Sequence, residues 1–142
     1  MALREYVIFK LQGEFYGVEV EYVENIEKLV EITRVPYTEP SVKGVVNLRG
    51  IIVPVIDLRI KFGLGQVEYG EDTRMIVVNY DDGKIGMLVD SSSETFQVND
   101  EDIDSATNIS KKSSIEYIRS IGKKDGRVVM LIDLAKVLST EV

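Results

Sequence analysis

The sequence predicts a mainly β protein of two similar small β-barrels packed together, with short helices at the joints and a helix near the C-terminal end. Three observations carry this. Most periodic segments are short, β-branched and bounded by Gly, Asp or Asn. Hairpin-type turn signals stand between several of them. Two stretches of the first half also recur, in the same order, in the second half.

Glu5–Gln12 (EYVIFKLQ) alternates as a strand, with Tyr6, Ile8 and Lys10 on one face and Val7, Phe9 and Leu11 on the other. Val20, Val23 and Ile26 recur at a spacing of three, which predicts a short helix over Glu19–Ile26. Gly44–Leu48 and Ile51–Ile56 read as strands joined at Arg49-Gly50. Pro54 has no N–H, so its strand is expected at an edge or with a bulge there. Asp57 is placed to cap one helical turn over Leu58–Phe62, with Gly63 as its stop. Arg74–Tyr80 and Lys84–Val89 flank the hairpin signal Asp81-Asp82-Gly83, and Ile115–Gly122 and Arg127–Ile132 flank a turn ending in Asp125-Gly126. Asp133 is placed to cap the final helix, where Leu134, Val137 and Leu138 share one face.

The repeat is visible without gaps. Glu5–Glu21 lies over Arg74–Asp90, matching Val7 with Ile76, Ile8 with Val77, Phe9 with Val78, Tyr16 with Ile85, Gly17 with Gly86, Val18 with Met87 and Val20 with Val89. Arg49–Leu58 lies over Asp125–Leu134, matching Gly50 with Gly126 and Ile56-Asp57-Leu58 with the identical Ile132-Asp133-Leu134. Any two strands joined by a turn look alike, but two matches in the same order favour an internal duplication. Half barrels of about 70 residues have modest cores, so they are expected to pack together over a third apolar interface. The expected organisation is one domain over residues 1–142, its barrels spanning roughly 13–72 and 73–132. The N-terminal strand and C-terminal helix are candidates to cross between them.

Composition narrows the function. Hydrophobic residues make up 44% and charged residues 29%, an ordinary soluble balance that argues against disorder. The longest apolar run, Ile51–Ile56, is far too short to span a bilayer, and the start lacks the basic flank and long apolar stretch of a signal peptide. The absence of cysteine agrees with the cytoplasmic location these features predict. The net charge is −7, and the basic doublets Lys111-Lys112 and Lys123-Lys124 are isolated. Nothing offers the concentrated basic surface that nucleic acid or an anionic membrane requires.

Catalytic chemistry finds little purchase. The chain has no histidine and no cysteine, which removes the commonest general base, the thiol nucleophile and the usual zinc ligands. Gly63-Leu64-Gly65 has no third glycine at the dinucleotide spacing, and no phosphate loop is present. Asp81-Asp82-Gly83 lacks the later glutamate of a calcium loop, and Asn99–Asp104 reads as a solvated acidic loop. Asp57, Asp90 and Asp133 follow apolar strands, where capping or turn formation accounts for them. No cofactor, metal or catalytic residue is expected. A small enzyme or sugar-binding barrel is the rival from another class, and the lack of tryptophan offers it no stacking cleft. Lys43 precedes a strand and Arg49 sits at a glycine turn. Either they keep a hairpin soluble, or the arginine presents its planar donors to a partner's carboxylate. The residues alone leave these readings equal.

These positions also carry a family resemblance. Gly44-Val45-Val46-Asn47-Leu48-Arg49-Gly50, then Pro54-Val55-Ile56-Asp57-Leu58-Arg59 and Phe62-Gly63, resemble the signature of the CheW-like domain family. Tyr16-Gly17, Gly86-Met87-Leu88-Val89-Asp90, Gly122 and Leu131-Ile132-Asp133-Leu134 extend the likeness over essentially the whole chain. The resemblance implies two five-stranded SH3-like barrels and a non-catalytic chemotaxis adaptor. Such an adaptor couples the cytoplasmic tip of a methyl-accepting chemoreceptor to the histidine kinase CheA in a membrane-proximal array. Carried over by position, Arg49, Lys43, Val23 and Asn25 would face the receptor, and Arg74, Gly86 and Ser92 the kinase's regulatory domain. Ile109 would make the contact that closes rings. Ser91-Ser92-Ser93, Ser120 and Arg74 are more polar than the family pattern, which implies weaker kinase docking or a co-adapted partner. A kinase controlling another pathway is compatible with the same domain. Met1 and the terminal helix suit a stand-alone chain rather than a fragment of a longer protein with a receiver domain.

Overall fold

The computed structural model describes residues 2–36, 38–65, 68–105 and 116–138. β1 (Leu3–Leu11) and β2 (Glu14–Glu19) form the first hairpin, and a 3-10 turn at Val20–Tyr22 leads to β3 (Val23–Lys28). β4 (Val42–Leu48), β5 (Ile51–Asp57) and α1 (Leu58–Lys61) follow. The second half repeats the order with β6 (Arg74–Tyr80), β7 (Gly83–Val89), β8 (Ser91–Asn99), a 3-10 turn at Asp100–Asp102, β9 (Ile103–Ser105), β10 (Ile118–Lys124), β11 (Arg127–Ile132) and α2 (Leu134–Leu138). The strands form a five-stranded sheet, β3-β6-β7-β5-β4, and a six-stranded sheet, β8-β1-β2-β11-β10-β9. The protein is mainly β, as its sequence predicts.

Both sheets curl. β8 and β9 occupy opposite edges of the six-stranded sheet, yet only Asp100–Asp102 separates them. Four Cα steps from Asn99 to Ile103 span at most about 15 Å, whereas the edges of a flat six-stranded sheet stand about 24 Å apart. In the five-stranded sheet the chain leaving β3 returns to the far edge, where Thr33 bridges Val45 with N···O distances of 2.8 Å both ways. The β9 strand and the Thr33 bridge are thus the same device, longer in one sheet than in the other, and they account for six strands against the five expected.

The halves are interleaved. Residues 74–89 lie in the sheet of residues 23–57, and residues 3–19 lie in the sheet of residues 91–132. A division near residue 72 therefore falls inside the five-stranded sheet. The repeat survives this exchange in detail. Parallel pairing sets Gly86 opposite Val55 in one sheet and Gly17 opposite Leu131 in the other, which are equivalent positions of the two sequence matches. Bulges recur between Val42 and Gly44 and between Ile118 and Ser120. The Asp57 N–H donates to Ser41 O and the Asp133 N–H to Tyr117 O, each at 2.7 Å.

Alternation along β1 and β6 builds three cores. Met75 and Val77 point into the five-stranded sheet with Val46, Leu48, Val53 and Leu88. Tyr6 and Ile8 point into the six-stranded sheet with Phe96, Val98 and Leu131. Val7, Phe9, Ile76 and Val78 face the other way and meet between the sheets with Leu58, Phe62, Met87 and Val137. Strands buried on both faces need continuous apolar runs, and VIF and MIVV supply them.

Two expectations about local structure are corrected. Glu19–Ile26 is not a helix but the Val20–Tyr22 turn followed by β3, and Ile26, one of the three residues that suggested a helix, is 39% exposed. Pro54 lies in β5, between β7 and β4, not at an edge. Val45 hydrogen-bonds Thr33 on one side, so opposite Pro54 it forms a non-hydrogen-bonded pair. The absent N–H of Pro54 then points toward β7, whose pairing with β5 begins only at Val55.

Asp57 caps α1 as expected. Its Oδ1 accepts from Arg59 N at 2.9 Å and Ile60 N at 3.3 Å, while Oδ2 accepts from the Tyr69 hydroxyl at 2.6 Å. Burial, and then the bond to Asp57, push the Tyr69 phenol well above its ordinary value of 10.0, and burial also raises Tyr6 and Tyr16. Below pH 10 these phenols are protonated in both folded and unfolded chains, so their contribution is constant there. Above it the unfolded chain releases protons first, and stability falls. The urea midpoint should therefore drop as pH rises past 10, with a shallower slope in Tyr69→Phe. Identical slopes for the two proteins would refute this assignment.

Candidate partner-binding faces

Arg49 stands at the tip of the β4–β5 hairpin. Leu48 pairs with Ile51, leaving Arg49 and Gly50 as a two-residue loop with φ of 52° and 88°. That is a type I′ turn, fixed further by Gly50 N donating to Asn47 Oδ1 at 2.8 Å. Arg49 Nη2 reaches Glu27 Oε2 on β3 at 3.0 Å, yet the side chain stays 67% exposed. Asn25 Nδ2 donates to the same carboxylate oxygen, and Asn25 Oδ1 is buried with no hydrogen-bond partner among the described residues. Val23, half-buried at the start of β3, pairs with Val78 and packs on the shared core. Val23, Asn25 and Arg49 thus belong to one region. An exposed surface ion pair of this kind stabilises little, so Glu27 mainly orients the guanidinium.

Lys43 does not join them. It lies at the opposite end of β4, six residues and about 20 Å away along the strand, where its Nζ stands 5.9 Å from the Tyr69 ring centroid. In its place, sequence reasoning overlooked Ile51 and Ile52, which are 50% and 60% exposed beside Arg49. They border a groove of about 550 Å³ with Tyr80, Asp82 and Lys84 of the β6–β7 turn. The signal was the apolar pair directly after a glycine turn, where the first residues of a strand lie outside the core.

The other three described candidates are spread over β6, β7 and β8. Arg74 Nη1 donates to Glu71 O at 2.8 Å and Thr73 O at 2.9 Å, folding the guanidinium onto its own turn. Ser92 Oγ donates to Ile8 O at 2.8 Å. Gly86 is buried between Val77 and Val55, and a Cβ there would lie 2.5 Å from Met75 Sδ. Its place in the fold is to let Met75 fill the barrel interior. Between these positions Arg59 Nη1 meets Asp90 Oδ2 at 2.8 Å, tying α1 to the junction of β7 and β8. Ile109 lies outside the described residues.

The profile of the CheW-like domain matches residues 5–142. The chain belongs to the CheW-like domain family. It is 38% identical to the chemotaxis protein CheW of Klebsiella aerogenes over 97% of this chain and 83% of that protein. It is 37% identical to the chemotaxis protein CheW of Bacillus subtilis over 95% and 86%. The crystal structure of the scaffolding protein TtCheW from Thermoanaerobacter tengcongensis superposes with a TM-score of 0.88 at 31% identity, covering 96% of this chain and 92% of that one. CheW-like domains of this kind are non-catalytic scaffolds of chemotaxis, which agrees with the adaptor reading of the sequence. Among the described residues, no helix is long and apolar enough to cross a membrane.

Proposed function

We propose that this CheW-like domain couples a methyl-accepting chemoreceptor to the histidine kinase CheA, holding each on a different face and acting by binding alone. The observation that carries the reading is the Arg49 turn. A rigid I′ loop projects a mostly exposed guanidinium beside two exposed isoleucines, with Glu27 of β3 orienting it. A few charged and apolar anchors of this kind supply most of the affinity when a helix docks in a groove. The receptor tip occupies the region of Arg49, Val23 and Asn25, with Lys43 contributing from the far end of β4. The kinase's regulatory domain docks around Arg74 and Ser92, with Gly86 acting through the packing of Met75. Ile109 is assigned the ring-closing contact. Because β6 and β7, which carry Arg74 and Gly86, share the five-stranded sheet with the receptor candidates and Ser92 stands on the sheet packed against it, receptor changes reach the kinase through one stiff body.

The test is receptor-stimulated autophosphorylation of the cognate kinase in a reconstituted mixture. Arg49→Ala should lower stimulation about tenfold at limiting adaptor while leaving the urea midpoint unchanged. Undiminished stimulation by the folded variant would remove Arg49 from the receptor contact. Failure of the unmodified protein to co-assemble with either partner would sink the coupling role itself.

A further inference from the structure

The repeat places one seat in each sheet, and among the described residues only one is filled. In the five-stranded sheet the seat holds Tyr69. Its hydroxyl donates to Asp57 Oδ2 at 2.6 Å, its ring lies under Lys43 Nζ, and its flanks are Thr73 and Leu88. The gap between Tyr69, Asp57, Thr73 and Leu88 is only about 10 Å³, and Tyr69 and Lys43 also border an open groove of about 670 Å³. In the six-stranded sheet the equivalent of Asp57 is Asp133, within the identical Ile-Asp-Leu segment. The equivalent of Lys43 is Arg119, at the matching bulge. Thr73 and Leu88 correspond to Arg4 and Glu19. Here, among the described residues, no aromatic ring occupies the middle, and an open groove of about 410 Å³ is bordered by residues that include Arg4, Tyr6, Glu19, Arg119, Ser120 and Leu131. The Arg119 guanidinium is 59% exposed, with Nη2 3.6 Å from Asp133 Oδ2 and Nη1 3.9 Å from Glu19 Oε1.

We propose that this second groove receives a tyrosine side chain from a protein partner, in the way the first seat receives Tyr69 from the same chain. The ring stacks against the Arg119 guanidinium, which binds aromatic faces better than the ammonium of Lys43 does. Leu131 and the Tyr6 ring provide the apolar floor, and the phenol O–H donates to the Asp133 carboxylate, a charge-assisted bond. Tyrosine suits such a site because its body is apolar and its tip polar. The inference rests on the adaptor reading only in taking the occupant from a protein.

The test uses the full ¹⁵N-labelled chain titrated with N-acetyl-tyrosinamide and, separately, N-acetyl-phenylalaninamide. Saturable shifts of the Tyr6, Arg119 and Ser120 amides are expected, with at least threefold tighter binding of the tyrosine probe and no movement at Arg49. Arg119→Ala should abolish the shifts. Asp133→Asn, which keeps an oxygen acceptor for the α2 cap, should erase the preference for tyrosine over phenylalanine. Shifts confined to other regions, no shifts at all, or equal response to the two probes would each overturn the proposal. None of these outcomes bears on receptor–kinase coupling, which the activation assay decides by itself.

Discussion

Gly44→Ala is expected to destabilise the protein by about 3 kcal/mol or more, or to prevent folding, because two separate penalties meet at this residue. Its φ of +143° is open to glycine and strained for any residue with a side chain. A Cβ built there would stand 2.0 Å from Thr33 O and 2.8 Å from Thr33 C, backbone atoms of the bridge that curls the five-stranded sheet. Neither side of that bridge can yield without breaking the Thr33–Val45 hydrogen bonds. Gly50→Ala serves as the control. It shares a positive φ but meets nothing within 4 Å, so it should cost only about 1 kcal/mol. Urea denaturation of both variants measures the difference. Equal losses would show that the close approach at Thr33 carries no energetic weight.

Asp57→Ala should cost about 3 kcal/mol, the sum of a lost helix cap and a half-buried phenol left without its acceptor. Asp57 is 3% exposed and serves two N–H groups of α1 and the Tyr69 hydroxyl at once. The two roles separate in a double-mutant cycle with Tyr69→Phe, which alone should cost about 1 kcal/mol. In the Asp57→Ala background the same change should cost close to nothing, because the hydroxyl no longer has a partner to lose. Strict additivity of the two variants would mean that the 2.6 Å contact contributes no coupling.

Much of the fold was legible for a physical reason. β1 and β6 feed two cores from opposite faces, so their apolar runs are continuous and their equivalence is plain in the sequence. β3 hid because its inward positions after Val23 are Asn25 and Glu27, while Ile26 points outward and completes a false helical spacing. β8 hid because its apolar anchors, Phe96 and Val98, come late, after a run of serines. Extending the repeat would have found both, since Val23 stands opposite Val78 as Ser92 stands opposite Phe9. That pairing also sets a receptor candidate and a kinase candidate at equivalent places in the two sheets, one apolar and one polar. At the site itself, the display of Arg49 followed from its turn. Its bracing by Glu27, 22 residues earlier, and the burial of Gly86 are products of tertiary pairing that local sequence does not encode.

Interleaving gives the chain an order of assembly. Every strand of the five-stranded sheet lies between residues 23 and 89, so that sheet can close as soon as those residues are available. The other sheet needs β1 and β2 from the beginning and β8 to β11 from the end. During synthesis the first hairpin therefore waits as a two-stranded ribbon, marginal alone in water, until β8 emerges to pair with β1, and the sheet is complete only when β11 reaches β2. The loop closure that joins them spans nearly the whole chain, and contacts of such long sequence separation form slowly. The surface that forms last is the six-stranded sheet and, with it, the groove beside Arg119.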